Sequence, residues 1–447
     1  MSPEMLAAVL ARYSRSEEGI DNILRKVTGL PEDKAIDQIF QYTDYGHSSI
    51  LQMCPIALCM EGISMVLAQF IWQTCPLATG QERSTRYVRN HVVIPADQLG
   101  IPYQSRTEWN LLMDELMGRY RDAVSFWTPL ADQHFAQHPI QDCKVDSPKY
   151  KRLVRNYALD RARYLLPQAC STNVGIVQSG QEWARLIREL LSHPAHEFLD
   201  LGEQLKAALT LVAPRCARHA KASEASSRVY QAESLELEGF ARVVRTFSTA
   251  LLHPTEEQSI FLTTQLDQLT PNQQLEIVRE ISSRANRYDR SGPHTENQST
   301  TWRGCFTFAE IRDFARHRVG RRNITRCPGG FYAPIDQLDF VQVSSKRREQ
   351  EAELLEIYQS VMARSVEKEL QAVETHEPTA PYWGCLGTLY GWQHTTFLDN
   401  LVYMIALRTG AGGHYRYVEV FREIARQLQA ELPKLTGHLM IGSGEPE

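Results

Sequence analysis

A chain of 447 residues, 43% hydrophobic and 23% charged, has the composition of a globular protein and is too long for one ordinary core, so two domains of about 200 residues are expected. Its net charge of −5 and pI near 6.3 argue against generic nucleic-acid binding. No apolar run reaches the roughly 18 residues of a membrane span, and Met1–Glu18 is polar rather than a secretory signal, which points to the cytoplasm. The nine cysteines form no Cys-x-x-Cys pair, which fits a reducing compartment better than a zinc site or a disulfide framework.

Taken in chain order, Ser2 can cap and Pro3 can open a first helix over Met5–Tyr13. Helices over Ile20–Thr28 and Pro31–Tyr42 follow. A Gly46-His47-Ser48-Ser49 loop precedes the apolar stretch Ile50–Ala68, which is expected to cross the interior. After a Pro76/Gly80 break come the polar run Gln81–Tyr87 and a β-favouring piece, Tyr87–Ile94. Helical periods run over Trp109–Phe135, Tyr150–Leu165 and Gln181–Leu209, the last broken near Pro194. Residues 214–236, rich in Ala, Ser, Lys and Glu, read as the inter-domain connection, which can be helical in part. Helices are then predicted over Leu251–Leu262 and Pro271–Ala285, with a polar loop over Arg287–Thr300. A long charged helix, Ser345–Val373, an apolar stretch, Leu398–Leu407, and a last helix, Tyr417–Leu432, complete the chain.

One stretch stands out. Arg312–Arg326 holds six arginines and a histidine, and Phe306–Ile311 before it reads as a strand end passing into a helix. If that helix continues, Ile311, Phe314 and Ala315 share an inward face. Arg312 and Arg316, four apart, then point the same way. The planar fork of arginine suits phosphate and carboxylate, so the cluster is a candidate anion site; a solvated basic face is the plainer alternative. Arg321 and Arg322 can be surface charges, Arg163 can pair with Asp160 or another acid, and Trp392 and His394 fit aromatic packing better than cofactor stacking.

The stretch has a counterpart. Phe70–Pro76, followed by Glu82-Arg83-Ser84-Thr85-Arg86-Tyr87, lines up with Arg312–Arg318, followed by Arg321–Arg326. An offset of this length fits two homologous domains rather than a short repeat. The pattern resembles the flavin-dependent thymidylate synthase (ThyX) family in a tandem-duplicated form. That family joins an Arg-His-Arg triplet to a Glu-x-Ser-x-Arg-Tyr element. Here the second half keeps Arg316-His317-Arg318 but has Ile324, Arg326 and Pro328 where glutamate, serine and arginine would fall. The first half keeps Glu82, Ser84, Arg86 and Tyr87 but has Thr74-Cys75-Pro76 in place of the triplet. The two losses are complementary.

The resemblance implies an α+β protein of two homologous helix-rich domains, 1–225 with the nucleotide element and 226–447 with the flavin element, each with a mixed sheet packed on long helices. It implies FAD held by Arg316, His317 and Arg318, with His47, Ser49 and Glu82 as further cofactor neighbours. It assigns a uracil nucleotide to Glu82, Ser84, Arg86, Arg163 and Arg312. Arg408, or Arg188 as its first-half counterpart, would face the uracil edge and stabilise negative charge there, which makes C5 a better nucleophile; Ser84 would lie close to the ring. NADPH and 5,10-methylenetetrahydrofolate are the implied co-reactants. The implied reaction is C5 methylation of dUMP or UMP. Two chains would form a homodimer, a pseudo-tetramer of four repeats, with no metal, membrane or nucleic-acid partner. Two alternatives stand beside this: a non-catalytic nucleotide- or RNA-binding protein on a degenerate form of the fold, and a flavin oxidase or reductase without methyl transfer.

Overall fold

The computed structural model describes residues 1–45, 48–140, 143–246, 260–334, 345–442 and 444. Among them, seven strands form two separate sheets. β1 (Pro55–Ser64), β2 (Thr79–Glu82) and β3 (Ser171–Ser179) are ordered β1-β3-β2. β4 (Ile260–Thr263), β5 (Ser299–Thr307), β6 (Arg321–Ile324) and β7 (Leu389–Phe397) are ordered β4-β5-β7-β6. The protein is thus α+β, with long helices around two small sheets.

Every ladder is antiparallel, so the expected mixed sheets are corrected. The reason is topological. β1 and β2 run the same way, joined by the helix Met65–Thr74, but β3 enters between them and runs opposite to both. The parallel pair is split, and no parallel ladder forms. β5, the helix Phe308–Phe314, β6 and β7 repeat the arrangement.

The two repeats agree in register. Thr79 pairs with Val177 and Arg321 with Thr395; Glu82 opposite Val174 therefore occupies the place of Ile324 opposite Trp392. The strand-to-helix corners match too. The Ser64 hydroxyl accepts from Leu67 N, and Thr307 forms a capping box with Glu310. Leaving β3, Ser179 caps the helix Gly180–Ser192; leaving β7, the chain enters the helix Leu398–Arg408.

Two compact units divide the chain differently from a cut at 225/226. One comprises Met1–Arg83, Ile94–Gln104 and Ser171–Glu236; the other Ser84–Val93, Ser105–Cys170 and Leu237–Glu447. The long helices Arg106–Gln137 and Pro148–Ala162 belong with the second unit, where Trp109 Nε1 donates to Tyr382 O. The core of that unit is aromatic: Trp302, Phe306, Phe314 and Phe421 lie with ring centroids 5.2–5.8 Å apart.

Several local expectations change. Tyr87–Ile94 forms no strand, only a bridge from Val93 to Cys170. Within Leu251–Leu262, residues 251–259 lie outside the described residues, and Ile260–Leu262 are strand β4 rather than helix. The stretch 214–236 keeps to the expectation of partial helix, over Pro214–Ala217 and from Glu224 into the helix Glu224–Thr246. Among the described residues no helix is long and apolar enough to cross a membrane, and no disulfide forms.

Candidate functional site

The arginine stretch lies in the second unit, and two local features shape it. The helix Phe308–Phe314 stops at Phe314, with Ala315 as its cap. Arg316 is therefore beyond the helix, and the four-residue spacing from Arg312 does not put both on one face: Arg312 is buried and Arg316 exposed. Ile311, Phe314 and Ala315 do face inward. After the triplet, Gly320 has φ +104°, and a Cβ there would meet Thr395 O at 2.1 Å. Only glycine can turn the chain this tightly into β6.

Arg316, His317 and Arg318 line one cavity of about 460 Å³ together with Tyr403, Arg408 and Tyr417. Arg408 ends the helix Leu398–Arg408, 8% exposed. Its Nε donates to His317 Nε2 at 2.7 Å and its Nη2 to Asp313 O at 2.7 Å, and its guanidinium lies 5.0 Å from the Tyr417 ring centroid. Nη1 has no hydrogen-bond partner among the described residues. Because His317 accepts at Nε2, its proton sits on Nδ1. Desolvation, with Arg408 next in size, pushes the His317 pKa well below its ordinary value, so the ring is neutral at pH 7.

A carboxylate frame backs this wall. Asp313 is buried; it takes Arg163 Nη2 at 3.1 Å on one oxygen and lies 3.6 Å from Arg316 Nη2 on the other. Burial alone would raise its pKa, but Arg163 first, then Arg316, Arg408 and Arg86, outweigh it and hold the carboxyl below the usual range. Asp160 grips Arg86 with two 2.8 Å bonds, to Nε and Nη2. Arg86 Nη1 reaches Gly412 O at 3.2 Å and Tyr417 Oη at 3.4 Å, both on cavity-lining residues. Arg86, Arg163, Arg316 and Arg408 share two carboxylates, Asp160 and Asp313, so this frame carries an excess of positive charge suited to an anion.

Residues 1–215 match the family model described as thymidylate synthase complementing protein. The match spans just under half of the chain. Over nearly its whole length the chain is also similar to UPF0159 proteins. One from Chlamydia pneumoniae is 23% identical, across 95% of this chain and 87% of the relative. Another from Thermoplasma acidophilum is 22% identical, across 96% of this chain and 93% of the relative.

The family's signature residues are distributed unevenly. The triplet, Arg408, Arg86 and Ser84 all belong to the second unit, where the Ser84 hydroxyl accepts from Arg86 N at 3.2 Å. Glu82 belongs to the first unit and accepts from Trp72 Nε1 at 3.0 Å. Arg163, 2% exposed, lies under Asp313 rather than on Asp160, which holds Arg86 instead. Arg188 lies in the first unit and donates to His219 O at 3.4 Å; on the shared register of β3 and β7, Leu190 and not Arg188 stands in the place of Arg408. Ser49 is exposed in the short helix Ser49–Gln52 of the first unit, and His47 lies outside the described residues. His394 is buried against Trp302 and bonded to Val319 O, so it packs. Arg321 is exposed, but Arg322 is buried and donates to Ala315 O, so it is not a surface charge.

Sequence reasoning missed Asp313 and Tyr417. Asp313 sits inside the arginine stretch, and an acid amid six arginines was the available signal. Tyr417 gave none, since its place depends on how the Gly410–Gly413 turn returns the chain.

Proposed function

We propose that this protein is a flavin-dependent enzyme that methylates C5 of a uracil nucleotide, dUMP or UMP, with NADPH and 5,10-methylenetetrahydrofolate as co-reactants. The observation that carries this reading is the convergence of Arg316, His317, Arg318 and Arg408 on one cavity, with Arg86 bonded to two of its lining residues, Gly412 and Tyr417. The donor set suits FAD. Arg316 and Arg318 bring cations for its phosphates, and neutral His317 with Tyr403 and Tyr417 brings aromatic surface. When bound, the flavin supplies the redox chemistry. Arg408 is the residue for the uracil edge: two of its nitrogens are held in place, and Nη1 remains to stabilise negative charge on the pyrimidine. Arg86 serves the nucleotide phosphate, with Ser84 beside it; Arg163 and Arg312, both buried, support the frame. Two chains form a homodimer of four repeats in the cytoplasm.

The test is the visible absorption spectrum of the purified protein, before and after NADPH, with and without dUMP or UMP. A bound flavin that bleaches faster with one nucleotide, and a methylated product that requires the folate, are expected. A colourless protein that takes up no FAD would sink the assignment of the triplet. The competing reading is a non-catalytic nucleotide-binding protein on the same fold. Nucleotide binding without flavin would decide for it.

A further inference from the structure

We propose that Tyr417 is a positioning residue that couples the two ends of the nucleotide site. This rests on the nucleotide reading of the same cavity. Tyr417 stands in the first turn of the helix Tyr415–Glu431 and is 4% exposed. Its side chain meets both of the cations assigned opposite jobs. Its hydroxyl oxygen accepts from Arg86 Nη1 at 3.4 Å, and its ring lies 5.0 Å from the Arg408 guanidinium.

Two guanidiniums gathered around one tyrosine repel each other. The phenol oxygen offers lone pairs to one and the ring face offers its negative quadrupole to the other, so a single tyrosine steadies both. Each cation is also fixed from behind. Arg86 is held by Asp160, and Arg408 by His317 and the Asp313 carbonyl. The helix that carries Tyr417 is fixed in the same frame. His414 caps it by accepting from Arg416 N at Nδ1, and its Nε2 lies 3.2 Å from Asp160 O. With Nδ1 accepting, Nε2 carries the proton and donates to that carbonyl. Asp160 thus holds Arg86 through its carboxylate and the Tyr417 helix through its carbonyl. The consequence is a set distance between the phosphate cation and the base cation, so that a phosphorylated uracil nucleoside is read at both ends at once.

Two substitutions separate the arms. Tyr417→Phe keeps the ring under Arg408 and removes the acceptor for Arg86. Tyr417→Leu removes both. Binding of dUMP and of deoxyuridine to the full chain is measured by calorimetry. Tyr417→Phe should weaken dUMP about threefold to tenfold and leave deoxyuridine within about twofold, as expected for the loss of one hydrogen bond of ordinary strength. Tyr417→Leu should weaken both ligands. A merely structural role would lower both affinities together in Tyr417→Phe, and that result, or an unchanged dUMP affinity, overturns the proposal. If Tyr417→Leu does not fold, Tyr417→Phe alone decides. Failure of the unsubstituted chain to bind dUMP at all would instead overturn the nucleotide reading, and the coupling with it.

Discussion

Asp313 shows how much rests on one side chain. It is 5% exposed, bears Arg163 and Arg316 on its carboxylate, and offers its carbonyl to Arg408. Removing the carboxylate leaves Arg163 charged and buried without its counter-ion. Asp313→Ala should therefore cost about 3–5 kcal/mol of stability, read from denaturant unfolding. A loss below about 1 kcal/mol would show that other groups satisfy Arg163. The carboxyl's folded pKa is depressed, so its contribution is present above the unfolded value of about 3.9 and is lost as pH falls through the lower folded value. Arg408→Lys tests the other role at this scale. A lysine ammonium cannot hold both the His317 and the Asp313 contacts in one plane while presenting a further donor. Turnover should fall about 10²-fold with flavin binding retained; equal turnover in the lysine variant would remove Arg408 from the chemistry.

The element that presents the triplet is a short corner between a helix and an edge strand, held by a glycine. Gly320→Ala places a Cβ 2.1 Å from Thr395 O in a left-handed conformation. The cost expected is about 1–3 kcal/mol from strain alone, with weakened flavin uptake because Arg318 lies two residues away. Gly437 has φ +83° but nothing within 4 Å of a built Cβ. Gly437→Ala should cost only about 1–2 kcal/mol of backbone preference and leave flavin uptake intact. Equal flavin loss in both variants would show a general destabilisation rather than a local one. The helix before the corner depends on the Thr307–Glu310 capping box, whose partner residues share two 2.9 Å bonds. Its counterpart in the first repeat is the simpler Ser64 cap, and Thr74 and Cys75 stand where the second repeat has Arg316 and His317.

At the scale of the whole molecule, buried neutral histidines should make the fold acid-sensitive. Desolvation foremost lowers the His394 pKa to about 4, and desolvation likewise pushes His317 and His414 well below their ordinary value. Below the unfolded value of about 6.5 the unfolded chain takes up protons that these rings refuse, so stability falls as pH drops from 6.5 toward 4. Each such group contributes up to about 1.4 kcal/mol per pH unit. The thermal midpoint should drop clearly between pH 7 and pH 5; a flat profile would mean that the rings find acceptors in the folded state.

The sequence alone determined the family resemblance, the complementary division of the signature and most helices, because each of these is written in short-range spacing. Ile20–Thr28 was legible from its own period, and the offset between Glu82 and Ile324 is the one that the strand registers reproduce. Short strands were harder. β4 reads as helix because a four-residue strand carries no decisive period, and Tyr87–Ile94 reads as strand although only Val93 pairs, in a bridge to Cys170. Only the tertiary structure decided which acid holds which arginine, since Asp160 and Asp313 are 153 positions apart in the chain and each had several arginines in reach. It also decided that residues 105–170 join the second compact unit, where Gln168 donates to Cys385 O and Arg163 meets Asp313. Contacts between residues 150 to 220 positions apart are set by how whole elements pack, and local sequence carries no record of them.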